Sequence, residues 1–151
     1  MSSYFLDTSV LLKRYVVESG TTWIQNIILP SAGHAIIIAQ IAPIEIISAV
    51  SRQKREGIIS ERTAHVIRLL VNRHSVREYE VVLFTDDIGQ RAQNLLEVHP
   101  LRAYDAVQLA SALAANKILL EQKLSPLIFV CADNRLIQAA IKEGLQTYNP
   151  V

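Results

Sequence analysis

Ser3-Tyr4-Phe5-Leu6 runs directly into Asp7-Thr8-Ser9, and Leu127-Ile128-Phe129-Val130-Cys131-Ala132 runs directly into Asp133-Asn134. In both places a short apolar run ends on an acid that opens a helical stretch. Runs this short and this uniformly apolar read as strands buried on both faces. Working outward, the same alternation fills the chain. Strands are expected over 3–6, 35–39, 80–84, 127–131 and 145–148. Helices are expected over 9–17, 21–29, 42–56, 61–77 (capped by Ser60), 86–98, 102–122 and 133–144. Alternating strands and helices with solid apolar strands predict an α/β fold built on a parallel sheet covered on both faces. Such sheets form their sites at the carboxyl ends of the strands, where Asp7 and Asp133 stand.

Composition narrows the function. The 151 residues suit one compact domain spanning 1–151, and a hydrophobic share of 50% excludes a disordered chain. Lys and Arg total 15 against 14 Asp and Glu, so whole-chain basicity cannot drive binding. The single cysteine, Cys131, allows no internal disulfide, and four scattered histidines make a zinc site improbable. The most apolar stretch, 35–44, is cut by Gln40 and Pro43 and followed by Glu45; a span needs about 20 apolar residues. With no basic, apolar leader either, a soluble cytoplasmic protein is expected. No phosphate loop, dinucleotide fingerprint or serine elbow occurs.

Four acids stand apart from those beside helix ends or basic neighbours. Asp7 and Asp133 serve equally well as N-caps, but parallel strands would bring both to one edge of the sheet. Asp105 falls on the stripe of Leu109, Ala112 and Leu113, where an ionised carboxylate is costly unless paired or metal-bound. Glu45 is the only charge between Glu18 and Arg52, and its wheel position with Ser48 and Arg52 also fits a solvent-facing pair. Carboxylates meeting at one edge repel one another unless a cation lies between them. Hard oxygen ligands select Mg²⁺ or Mn²⁺, and such centres suit phosphodiester hydrolysis.

The segment 5–15, FLDTSVLLKRY, resembles the opening of the PIN-domain ribonucleases, above all the VapC toxins of toxin–antitoxin pairs. Ile44-Glu45, the stretch 101–110 around Asp105, and the stretch 129–136 around Asp133 are similar to that family's later acidic motifs, in the same order. The resemblance implies a three-layer α/β/α sandwich and a Mg²⁺- or Mn²⁺-dependent endoribonuclease. It also implies an antitoxin partner, and Asp7, Glu45, Asp105 and Asp133 as the catalytic and metal-binding set. Ser9 matches the hydroxyl accompanying the first acid, and Asn134 follows the last. Two departures stand out: Cys131 occupies a place where many members have Thr or Ser, and Gln108 replaces a common His, with little consequence expected.

The even charge balance hides a local excess. Residues 52–77 hold seven basic side chains against two acids. Arg52 and Arg55 within it, with Arg14 and Arg102 beside two acidic motifs, are candidate RNA contacts. The Ile-rich segments 21–29 and 42–50 exceed what one core-facing stripe requires, which suggests a homodimer. Two other functions compete. One is a catalytically silent PIN-like scaffold that binds a protein partner. The other is a haloacid-dehalogenase-like phosphatase, which needs a second acid where Ser9 stands.

Overall fold

A computed structural model describes all 151 residues. Strands β1 (Ser3–Leu6), β2 (Ala35–Ala39), β3 (Glu80–Val82), β4 (Ile128–Val130) and β5 (Gln146–Tyr148) form one sheet in the order β3-β2-β1-β4-β5, and every neighbouring pair is parallel. Side chains alternate between the faces. Phe5, Ile37 and Phe129 enter one core, while Leu6, Ile36, Ile38 and Val130 enter the other. The first core lies under α5 (Asp86–Val98), α6 (Ala103–Glu121) and α7 (Asn134–Lys142). The second lies under α1 (Thr8–Leu11), α2 (Thr21–Ile27), α3 (Ala42–Arg55) and α4 (Glu61–Arg77). This is the α/β sandwich expected from the apolar runs that became the central strands β1, β2 and β4.

The chain steps from β1 to β2 to β3 on one side, then returns to place β4 and β5 on the other side of β1. The crevice outside the carboxyl ends of β1 and β4 lies at this reversal, where open α/β sheets hold ligands.

Two expected boundaries move for a visible reason, and one expected surplus turns inward. The helix expected over 9–17 stops at Leu11 and tightens into a 3₁₀ turn, Leu12–Arg14. The Lys13 carbonyl then accepts from Thr21 Oγ1 at 2.8 Å instead of a helical N–H. The strand expected over 80–84 ends at Val82, because the Phe84 N–H donates to Gln40 Oε1 at 2.7 Å rather than to β2. The apolar surplus of 21–29 and 42–50 is mostly spent inside: Ile24, Ile27, Ile46 and Val50 are buried, whereas Leu29 and Ile44 stay exposed.

Helix α7 is tied down at its far end. His99, buried just beyond α5, donates from Nε2 to Glu143 Oε2 at 2.8 Å, and Arg91 approaches Oε1 at 3.1 Å. The His99 hydrogen bond is the main influence holding the Glu143 carboxyl below its ordinary 4.5. A depressed carboxyl stabilises the fold above its unfolded pKa, and that contribution is lost as pH falls through the folded value. Glu143→Gln is therefore expected to cost about 1 kcal/mol at neutral pH, with the difference shrinking below pH 4.5. Urea unfolding of both proteins across pH checks this; a difference unchanged down to pH 3 refutes it.

Candidate active site

A cavity of about 510 Å³ opens at the carboxyl edge of the sheet, and Asp7, Glu45, Asp105 and Asp133 all line it. Thr8, Ser9, Ile44, Ser48, Ala49, Arg52, Arg102 and Tyr104 complete its wall. Two acids come from the strand ends. Asp7 follows β1 and caps α1, and its backbone N–H donates to Val130 O at 3.0 Å, closing the seam to β4. Asp133 follows β4 and caps α7. The other two lie in the first turns of helices: Glu45 in α3 and Asp105 in α6. Negative charge is favourable at such helix starts.

Each acid has one oxygen anchored and one left open. Asp7 Oδ2 accepts from Ser9 Oγ at 2.6 Å, Ser9 N at 3.2 Å and Cys131 Sγ at 3.5 Å. Glu45 Oε1 accepts from Thr8 Oγ1 at 3.0 Å and Gln108 Nε2 at 2.8 Å. Asp105 Oδ2 faces Arg102 Nε at 3.3 Å, and Asp133 Oδ1 accepts from Arg135 N at 2.9 Å. The second oxygen of each acid accepts no hydrogen bond, yet none of the four is buried out of solvent reach. Ser9 and Cys131 lace the two strand ends together: Ser9 Oγ accepts from Ala132 N at 3.1 Å, and Cys131 Sγ from Asp133 N at 3.3 Å. Burial and the adjacent Asp7 push the Cys131 thiol well above its usual range, so it remains a neutral thiol.

The family model of the PIN domain matches residues 4–141. The chain belongs to the PIN-domain family. Members of this family are generally nucleases. Among solved structures the chain is similar to the VapBC2 complex of Rickettsia felis bound to a fragment of its promoter DNA, with 14% identity, 97% of this chain and 98% of that one covered, and a TM-score of 0.64. It is similar to FitAcB of Neisseria gonorrhoeae, at 13% identity, 97% coverage of both chains and TM-score 0.64. A toxin–antitoxin complex from Klebsiella pneumoniae matches at 13% identity, 98% coverage of both and TM-score 0.59. At these identities the likeness concerns the fold. No curated protein matches the sequence.

Within this PIN domain the four carboxylates face only two cations, Arg52 and Arg102. Burial is the main cause raising the Asp7 carboxyl above its ordinary value. Hydrogen bonds from Ser9 oppose it, and the Asp105 charge adds to it. Burial likewise raises Glu45, with further repulsion from Asp7 and Asp105. The donors are hard oxygens, with no imidazole and no thiolate, which fits Mg²⁺ or Mn²⁺ and not zinc. No three side chains form a finished metal cluster as they stand. Mg²⁺ does not need one, since it keeps several waters and takes one or two carboxylates.

The cationic candidates divide. Arg52 lies on the Glu45, Ser48, Ala49 face of α3 and lines the cavity, as does Arg102, stacked 4.6 Å over the Tyr104 ring. Arg55 is exposed about one turn further along α3 and does not line the cavity. Arg14 lies in another cavity at the amino edge, donating to Tyr79 Oη at 2.6 Å and paired with Glu78 at 2.9 Å. The descending turn after Asp7 carries it there, so nearness in sequence misleads. Asn134 is exposed, in contact with Asn149 at 3.5 Å, and also stands outside the cavity.

Two further residues belong to the site: Thr8, which the sequence reading does not single out, and Gln108, of which it expects little consequence. Thr8 and Gln108 together hold Glu45, and Gln108 is fully buried. Its Oε1 has no partner, a state that costs about 1–3 kcal/mol. The signal was available, since Gln108 stands one turn beyond Asp105 on the same apolar face of α6.

A carboxyl raised in the folded state makes the fold lose stability as pH rises through the interval above its unfolded value. Asp7→Asn keeps an equally good cap and removes the buried charge. Its thermal midpoint in metal-free buffer at pH 7 is expected to rise, by about 2–4 °C per kcal/mol regained. Calorimetry of both proteins tests this; a midpoint lowered by several degrees would show that the Asp7 charge is compensated within the protein.

Proposed function

We propose that this PIN domain is a Mg²⁺- or Mn²⁺-dependent endoribonuclease that acts as the toxin of a toxin–antitoxin pair. The observation that carries the reading is the set of four half-anchored carboxylates lining one cavity. Asp7 and Asp105, with Glu45 and Asp133, are the residues that would hold the cation. When bound, it supplies Lewis-acid activation of water and of the scissile phosphate. Ser9, Thr8 and Gln108 keep the acids oriented. Arg52 and Arg102 offer the RNA backbone two cations beside an otherwise anionic wall.

The toxin–antitoxin complex from Klebsiella pneumoniae among the structural neighbours supports an antitoxin partner. Val66, Leu69 and Val76, exposed along α4, give an antitoxin or a second copy an apolar surface. A silent scaffold has no use for carboxylates kept open at the cost of burial. The family match leaves the phosphatase alternative without support. No helix is long and apolar enough to cross a membrane.

Cleavage of single-stranded RNA is expected with Mg²⁺ or Mn²⁺, to stop with excess EDTA, and to fall to background in Asp7→Asn. Undiminished cleavage in EDTA refutes the proposal. Arg52→Ala is expected to weaken RNA binding and reduce its log–log salt slope by about 0.7, the value for one phosphate contact on a single strand. Filter binding across salt concentrations measures it, and an unchanged slope removes Arg52 from the RNA path.

A further inference from the structure

Three elements meet at Glu45. Gln108 of α6 spends both amide hydrogens there: Nε2 donates to Thr8 Oγ1 and to Glu45 Oε1, each at 2.8 Å. Thr8 of α1 donates its own hydroxyl hydrogen to the same Glu45 Oε1 at 3.0 Å. The amide orientation is set by charge, since turning it over would place its carbonyl oxygen against the Glu45 carboxylate. In the orientation that serves Glu45, Gln108 Oε1 is left buried with no partner. An apolar side chain of the same length would fill the space without that orphan, so packing alone gives no reason for an amide here.

Each of the other three acids has a donor within three residues of it, although Asp7 also accepts from Cys131. Glu45 has the longest side chain of the four and no such neighbour; both its anchors are distant, Thr8 by 37 residues and Gln108 by 63. Left loose, it would have several rotamers to lose on taking a ligand.

We propose that Gln108 is a positioning residue which, together with Thr8, fixes Oε1 of Glu45 and so presents Oε2 alone to the cation of the cleft. The cation part rests on the nuclease reading; the anchoring of Glu45 does not. Loss of such a supporting contact typically weakens metal affinity by about tenfold to a hundredfold.

The test has two arms. Mn²⁺ affinity is measured by calorimetry for the wild type, Gln108→Met and Thr8→Val. A double-mutant cycle between Gln108→Met and Glu45→Ala is measured by urea unfolding without metal. Expected are Mn²⁺ binding weaker by about tenfold or more in Gln108→Met, weaker binding in Thr8→Val, and a favourable coupling between Gln108 and Glu45. A merely structural role moves stability and leaves Mn²⁺ affinity at the wild-type value. That result in both variants, or a coupling of zero, overturns the inference. Should Gln108→Met not fold, Thr8→Val decides by the same Mn²⁺ criterion. If the wild type takes up no Mn²⁺, the nuclease reading falls, and the cycle still decides whether Gln108 holds Glu45.

Discussion

Four carboxylates lining one partly buried cavity repel one another, and the rest of the architecture serves to keep them there. Burial raises Asp7 and Glu45, so the unliganded site carries a standing electrostatic cost. The parallel sheet meets it with rigidity. Asp7 and Asp133 are carried by adjacent strands whose register is fixed on both faces by separate cores. Neither acid can retreat without dismantling β1 or β4. The helix-borne pair, Glu45 and Asp105, lies near helix starts, where the peptide dipoles favour a negative charge.

The anchoring pattern shows how such a site stays both ordered and open. One oxygen of every acid is held by a hydroxyl, an amide, a guanidinium or a backbone N–H, and the other is left for a ligand. Ser9 and Cys131 reach across the β1–β4 seam and tie the two strand ends together. A thiol suffices at Cys131, because the place needs a weak donor to Asp7 and an acceptor for Asp133 N.

Much of this was legible in the sequence for definite physical reasons. Solid apolar runs ending in Asp gave the parallel sheet and its edge, and an acid on the apolar stripe of α6 singled out Asp105. Glu45 was undecidable from periodicity, because its wheel position suits solvent and cleft alike and only the placement of α3 separates them. Arg14 and Arg55 do not line the cavity, because distance along a chain ignores direction. Arg14 lies beyond a descending turn, and Arg55 lies too far down a helix that leaves the site. Gln108 was passed over as a replacement of little consequence, although a buried polar residue on the face that carries Asp105 raises the same question. Its importance lies in a contact with Glu45 from a different helix, which no local pattern encodes.

Anomalous diffraction from a crystal grown with Mn²⁺ examines the central claim most directly, since it locates the cation without reference to activity. The expected result is a peak inside the cavity, about 2.0–2.4 Å from an open carboxylate oxygen of Asp7 or Asp105, with Glu45 still held by Thr8 and Gln108. A cavity without a peak at millimolar Mn²⁺, or manganese bound only elsewhere on the molecule, would contradict it.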